Sequence, residues 1–133
     1  MLTWTPEMSI GIQEIDAQHQ SFVATLNEMM ALFESGNADA VAGPIIDGLC
    51  AYAEYHFATE EKYFLMFDYE LAAEHIIEHR RMAERLAQFR RAHFERGEHI
   101  IGELFVFAAD WLTEHLMVQD RKYVECFHEH GLY

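Results

Sequence analysis

Four separate stretches of this 133-residue chain carry apolar residues at steps of three and four, the repeat of an amphipathic helix. Each of these apolar stripes is interrupted by histidine, glutamate or aspartate. The interrupting residues are His19, His56, Glu60, His75, His79, His115 and Asp120. Burying so many imidazoles and carboxylates costs free energy unless something compensates them. The pattern therefore predicts four helices that bring seven polar side chains into one shared core.

The first two stripes predict the limits of two helices. The first helix is predicted from Asp16, as its N-cap, to about Ser35, where the Gly36-Asn37 pair stops it. The second is predicted to begin near Pro44, because proline suits the first turn of a helix. The inward positions of these helices are His19, Phe22, Leu26, Met29 and Phe33, followed by Ile45, Leu49, Tyr52, His56, Glu60, Tyr63 and Phe67.

The other two stripes complete the predicted fold. The third helix is predicted from about Glu70 to just before Gly97, and the fourth begins at Ile101. Their inward positions are Ala72, His75, His79, Met82, Leu86 and Phe89, followed by Ile101, Leu104, Ala108, Trp111 and His115. Residues 1–15 are predicted to be irregular, and residues 122–133 to add a short fifth helix. Because short connections favour antiparallel neighbours, the fold class is predicted as all-α, an up-down-up-down four-helix bundle formed by residues 1–133 as a single domain.

Charge and composition limit the partners that such a bundle could bind. Nine lysines and arginines against 23 aspartates and glutamates give a net charge of −14, which repels nucleic-acid phosphates and anionic lipid. The longest apolar run, Leu104 to Ala109, is far too short to span a membrane. The sequence shows neither a signal-peptide pattern nor a CxxC spacing of Cys50 and Cys126. We therefore predict a cytoplasmic protein that binds neither nucleic acid nor membranes.

The spacing of the polar residues predicts which of them share a face. In the His-x3-Glu and His-x3-His pairs, a spacing of four puts both side chains on one side of a helix. His115 and Asp120 are five residues apart and would lie about 140° apart around a regular α-helix. Both could reach one site only if the helix deforms between them, as in a π-bulge, a feature common at functional sites. We therefore predict such a deformation.

The donor set indicates which metals fit such a core. Imidazole and carboxylate together suit iron, zinc or manganese better than a metal that prefers thiolate. Five histidines, two bridging carboxylates and one bridging oxygen would fill all but one of the positions on two six-coordinate irons. The donor number therefore predicts a dinuclear site in which one position stays open for a small ligand.

Two shorter motifs favour other chemistries. His75-x-x-Glu78-His79 matches the H-x-x-E-H pattern of inverted zinc peptidases, and Glu125-x-x-His128 matches half of a ferritin-type di-iron motif. The first motif leaves the other polar core residues unexplained, and the second lacks the further pairs that a ferritin-type site requires. We interpret Glu78 as a solvated or capping acid and the second motif as a chance match.

The order and spacing of the seven residues resemble those of the hemerythrins, specifically the single-domain bacterial members. The matching elements are Trp4, Gly11-Ile12, Asp16-x-Gln18-His19, His56-Phe57-x-x-Glu60-Glu61, His75-x-x-x-His79 and His115-x-x-x-x-Asp120. This resemblance covers nearly the whole chain, and it implies two iron ions bridged by an oxo or hydroxo group as the cofactor. The ligands it implies are His75, His79 and His115 on one iron, His19 and His56 on the other, and Glu60 and Asp120 as bridges.

The resemblance also implies a function. The reduced di-iron centre of this family binds dioxygen reversibly, so the chain is predicted to be an oxygen-binding protein and not an enzyme. Carriage, storage or delivery of oxygen to oxygen-consuming enzymes is the expected use. Oxygen or redox sensing, iron storage, and detoxification of peroxide or nitric oxide stay open as alternatives. The apolar wall expected beside the open iron consists of Phe22, Phe57, Trp111, Leu112 and Leu116.

Two further predictions concern the surroundings of the site and the outer surface. Asp16, three residues before His19, and Tyr123, three after Asp120, are candidates to support the ligands from behind, although capping explains Asp16 equally well. A monomer is expected. The apolar run 105–107 beside the stripe of the fourth helix leaves a dimer interface open as the alternative.

Overall fold

The backbone forms the four long helices that the apolar stripes predict. The computed structural model describes residues 2–133, so Met1, the first residue of the segment predicted to be irregular, lies outside the described residues. The helices are α1, Gln13–Ser35; α2, Ala38–Met66; α3, Ala72–Arg96; α4, Ile101–Trp111; and the short α5, Val124–Glu129. α1 packs against α2 and α4, and α2 packs against α3. The chain is therefore an all-α four-helix bundle, as predicted.

The helical path of α4 continues beyond Trp111 in a different form. π-helical turns cover Leu112–Gln119, a 3₁₀ turn covers Asp120–Tyr123, and α5 follows directly. A further 3₁₀ turn, Pro6–Met8, lies in the N-terminal segment before α1. Among residues 2–133, no helix combines the length and the apolar character that crossing a membrane requires.

The start of α1 differs from the prediction. The helix begins at Gln13, and no side chain of the described residues caps it. Asp16 lies in the first turn, where its carboxylate accepts hydrogen bonds from the Ile10 backbone N–H at 2.8 Å and from the Ser9 hydroxyl at 2.5 Å. The N-cap prediction for Asp16 is therefore wrong. The carboxylate instead fixes the segment that leads into the helix.

The start of α2 also differs, because the helix begins at Ala38 and not near Pro44. Pro44 lies inside the helix and has no N–H to donate to the Ala40 carbonyl. Both residues are exposed, so water can reach that carbonyl and the helix tolerates the proline. A proline on the solvent side of a helix is therefore a weaker start signal than the prediction assumed.

The seven polar residues lie between two apolar clusters. The larger cluster includes predicted inward residues from every long helix: Leu26, Met29, Leu49, Leu86 and Leu104. The smaller one packs the N-terminal segment and α5 against α2 around Ile12, Phe64 and Phe127. Phe33, predicted to face inward, is 62% exposed, because it lies near the end of α1 at the rim of the bundle, over Gly102 of α4.

Candidate metal centre

All seven predicted ligands meet inside the bundle, and the most exposed of them, His75, is only 5% exposed. α1 supplies His19, α2 supplies His56 and Glu60, α3 supplies His75 and His79, and the segment after α4 supplies His115 and Asp120. The three-histidine group contains Glu60, His75, His79 and His115, and the two-histidine group contains His19, His56 and Asp120. Within each group the donor atoms lie within 4.8 Å of one another. Four segments of the chain therefore converge on one site.

The two carboxylates connect these groups. Glu60 Oε1 lies 3.1 Å from His56 Nε2 and 3.0 Å from His79 Nε2. Asp120 Oδ2 lies 3.0 Å from His19 Nε2, and Asp120 Oδ1 lies 3.0 Å from His75 Nε2 in the three-histidine group. Each carboxylate therefore faces histidines of both groups, which is the arrangement that a bridging ligand needs.

The π-helical turns bring Asp120 beside His115. The Asp120 backbone N–H donates to the His115 carbonyl, five residues back, and not to a carbonyl four residues back. Asp120 Oδ1 consequently lies 3.2 Å from His115 Nε2. A regular helix would have turned these side chains about 140° apart. The predicted deformation between the two residues is confirmed, and it takes the form of π-helical turns over Leu112–Gln119.

Several buried nitrogen and oxygen atoms of the centre lie close to one another, yet none of them is aligned for a hydrogen bond with a partner among residues 2–133. These atoms are Glu60 Oε2, His75 Nε2, His115 Nε2 and Asp120 Oδ1. Buried polar atoms nearly always have a partner, because leaving one unpaired costs free energy. Imidazole nitrogens and carboxylate oxygens that converge in this way are donors that iron, zinc or manganese can coordinate. The residues therefore fit a metal centre.

Two carboxylates outside the centre hold histidines of the three-histidine group. His79 Nδ1 donates to Glu61 at 3.0 Å, and His115 Nδ1 donates to Glu78 at 2.7 Å. An acceptor at Nδ1 keeps the proton there, so that each Nε2 presents its lone pair to the centre. Glu78 is partly exposed, as its interpretation as a solvated acid implies, but its carboxylate also accepts a hydrogen bond from His115, a role that this interpretation did not include. The sequence motifs include both glutamates but did not predict this role, because each contacts a histidine that lies on a different segment of the chain.

In the two-histidine group an amide takes the place of such a carboxylate. The Gln18 side-chain NH₂ donates to the Thr59 hydroxyl at 3.0 Å, and that hydroxyl donates to the Tyr55 carbonyl at 3.0 Å. These bonds fix the amide so that Gln18 Oε1 accepts the His56 Nδ1–H at 2.5 Å. The sequence singled out Gln18 as part of a motif but predicted no role for it.

The carboxylates of the centre also control its protonation when no metal is bound. Burial lowers the pKa of His56, but the Glu60 charge and hydrogen bonds to Asp120 and Glu60 outweigh burial and raise it to about 10. Burial also lowers the pKa of His75, but the nearby carboxylates of Asp120 and Glu60 outweigh burial and raise it to about 9. Burial raises the pKa values of Glu60 and Asp120, but the surrounding histidines hold both below their usual range. Metal binding must therefore displace protons from this site.

Two aromatic residues of the predicted wall lie against histidines of the three-histidine group. Phe57 stacks on His79 with ring centres 4.0 Å apart, and Trp111 stacks on His115 at 3.9 Å. The other predicted wall residues, all buried in the larger apolar cluster, are Phe22, Leu112 and Leu116. Tyr123, predicted to support the ligands, is fully buried.

The fold and the site together define an all-α bundle protein with a buried metal centre of histidines and carboxylates. The model of the family described as the hemerythrin HHE cation binding domain matches residues 10–127. This match covers most of the 133 residues. The chain belongs to the hemerythrin family.

Bacterial members of the family are among its relatives. The bacteriohemerythrin of Stenotrophomonas maltophilia (strain R551-3) is 33% identical over 125 residues, covering 94% of this chain and 80% of the relative. The bacteriohemerythrin of Clostridium acetobutylicum is 27% identical over 131 residues, covering 94% and 100%. A crystal structure of wild-type hemerythrin has a TM-score of 0.86 at 25% identity and covers 95% of this chain and 97% of that one. The resemblance to bacterial hemerythrins is confirmed.

Proposed function

We propose that the chain binds dioxygen reversibly at a di-iron centre formed by the two histidine groups. The observation that carries this proposal is the position of the two carboxylates, because each faces histidines of both groups. A pair of metals uses all seven side chains, whereas a single metal would leave buried imidazoles uncompensated. The assignments are His75, His79 and His115 on one iron, His19 and His56 on the other, and Glu60, Asp120 and an oxo or hydroxo group as bridges.

A reduced pair of irons, when bound, supplies the two electrons that reversible dioxygen binding requires. The protein residues determine whether the centre binds dioxygen or oxidises other molecules. Most of the donors are neutral imidazoles, so the centre carries less negative charge than a carboxylate-rich site does. A less anionic centre favours binding of dioxygen over oxidation of other molecules. The Nδ1 acceptors Gln18, Glu61 and Glu78 keep the inner nitrogens available to the metals.

Reversible binding also requires that water and acids stay away from the bound ligand. The predicted wall residues Phe22, Phe57, Leu112 and Leu116 are buried, and Trp111 is half-buried. Their apolar surfaces would exclude water from the open position and slow irreversible oxidation of the centre. Carriage, storage or delivery of oxygen to oxygen-consuming enzymes would follow from such reversible binding.

The test is a cycle of air and vacuum applied to the iron-loaded, reduced protein. We expect about two irons per chain and a visible absorption band that appears in air and disappears under vacuum through repeated cycles. His19→Ala, which removes one imidazole of the two-histidine group, should abolish this reversible band.

Two results would contradict the proposal. A metal content near one per chain would remove the dinuclear assignment. Oxidation in air that vacuum does not reverse would contradict oxygen carriage and would favour sensing or enzymatic turnover.

A further inference from the structure

Tyr52 places a buried hydroxyl group beside the two-histidine group. It lies one turn before His56 on α2, with its ring nearly parallel to the imidazole and ring centres 5.5 Å apart. The Phe22 ring lies 5.1 Å away, and Phe22 follows His19 by one turn on α1. Tyr52 therefore lies between the two helices that carry the histidines of this group.

The Tyr52 hydroxyl is a hydrogen-bond donor to which the chain supplies no acceptor. Its oxygen is buried and has no hydrogen-bond partner among the described residues. Buried tyrosine hydroxyls usually have such a partner. The Tyr52 hydroxyl is therefore a buried, unpaired donor on a ring that stacks against His56 of the two-histidine group.

Tyr123 shows why the position of Tyr52 matters. The Tyr123 hydroxyl is also buried without a hydrogen-bond partner in residues 2–133, but its ring lies 5.7 Å from His75, in the three-histidine group. Under the proposed function, the iron of that group has all its positions filled. The open position would lie on the iron held by His19 and His56, because this group supplies one imidazole fewer. Of the two tyrosines, Tyr52 is therefore the one on the side where a small ligand would bind.

We propose that the Tyr52 hydroxyl donates a hydrogen bond to the small ligand bound at the open position of the two-histidine group. The proposal rests on the di-iron function above. Its ligand class is a diatomic molecule or small anion whose outer atom accepts a hydrogen bond. The bond slows the release of such ligands and selects them over ligands of similar size without an acceptor. Tyr52 thereby adds one polar contact to the predicted apolar wall.

Azide bound to the oxidised, iron-loaded protein is a suitable probe, because it binds ferric iron whether or not the reduced protein carries dioxygen. In Tyr52→Phe, we expect about tenfold weaker azide binding at unchanged iron content. The infrared stretch of bound azide should shift in D₂O in the parent protein but not in this variant. The matched control is Tyr55→Phe, which removes an exposed hydroxyl from the same helix and should behave like the parent.

Three results would overturn the assignment of Tyr52. The first is unchanged azide affinity in Tyr52→Phe, and the second is an azide stretch that is insensitive to D₂O in the parent. The third is a loss of stability of metal-free Tyr52→Phe in urea, which would indicate a structural hydrogen bond. We expect the free energy of unfolding to stay equal or to rise, because the variant loses no partner. A parent that binds azide but not dioxygen reversibly would contradict oxygen carriage alone.

Discussion

The three-histidine group and the two-histidine group lie side by side but differ in what surrounds them. In the first, the partly exposed carboxylates of Glu61 and Glu78 hold two imidazoles from outside. In the second, the neutral amide of Gln18, which is only 6% exposed, holds His56. His19 Nδ1 has no hydrogen-bond partner in the part of the chain that the structure describes. The hydrogen-bond acceptors behind the histidines are thus charged and near solvent in the three-histidine group. In the two-histidine group the acceptor is neutral and buried.

This difference indicates different tasks for the two groups. A carboxylate acceptor makes an imidazole a stronger metal ligand than a neutral amide does. The three-histidine group therefore combines more imidazoles with stronger support, as suits a metal whose positions are all filled. The two-histidine group has fewer and less strongly supported imidazoles, and Tyr52 lies against it. Such a site suits a metal that keeps a position for a small ligand.

Removing one histidine from each group should have the largest effect. His19→Ala leaves the two-histidine group with a single imidazole, so we expect iron content to fall from about two to about one per chain. His79→Ala leaves two imidazoles in its group, and we expect both irons to bind when iron is in excess, the affected one more weakly. Elemental analysis after dialysis measures the content, with the exposed His99→Ala as control. Equal losses in both variants would break the comparison between the groups.

The stability of the metal-free protein should fall as the pH rises. His56 has a pKa of about 10 and His75 of about 9, against an ordinary value of 6.5. Protonation of these histidines therefore stabilises the fold fully below pH 6.5, and this stabilisation is lost as the pH rises through 9 and 10. Urea denaturation should show a decrease in the free energy of unfolding over this range, about 5 kcal/mol of it from His56 and about 3 kcal/mol from His75.

The same titration separates the two groups. His56→Gln should reduce the pH-dependent decrease more than His75→Gln, because the pKa of His56 is raised further. The iron-loaded protein should show no decrease, because metal replaces the protons. Stability that rises between pH 6.5 and 9 in the metal-free protein would show that the histidines are not held protonated by the carboxylates.

Exchanging the outer acceptor should have an intermediate effect. Glu78→Gln gives His115 the kind of partner that His56 has, without a change of shape. We expect about tenfold weaker metal binding, measured with zinc against a competing chelator. Glu84→Gln makes the same change at an exposed position of α3 and should leave the affinity unchanged. Identical affinities in all three proteins would mean that the type of outer acceptor does not distinguish the groups.

A polar substitution in the wall should have the smallest effect. Leu116 is fully buried next to His115, so Leu116→Gln would bring an amide, and with it water, towards the centre. We expect irreversible oxidation of the iron-loaded protein in air to be about threefold to tenfold faster. The loss of the reversible absorption band over time measures it, with exposed Val118→Gln as control. An unchanged rate would remove the argument for a protective apolar wall.

Much of the fold could be predicted from the sequence because the relevant signals are local. Helical repeats of apolar residues depend on neighbours three and four positions away, and they predicted all four long helices. The five-residue spacing of His115 and Asp120 predicted the helix deformation for the same reason. Local signals failed where a residue's environment decides its effect. Pro44 stands on the solvent side within α2, and Phe33 extends past the edge of the core.

The amino-acid sequence alone determined which side chains could enter the centre, because helical periodicity assigns each residue to a face of its own helix. The tertiary structure alone decided which residues support them. Gln18 contacts α2, Glu61 contacts α3, and Glu78 contacts His115 beyond α4, so each hydrogen bond joins two separate segments. Such contacts depend on how the packed core rotates one helix against another. The apolar repeat of a single helix does not predict how that helix is rotated against its neighbours.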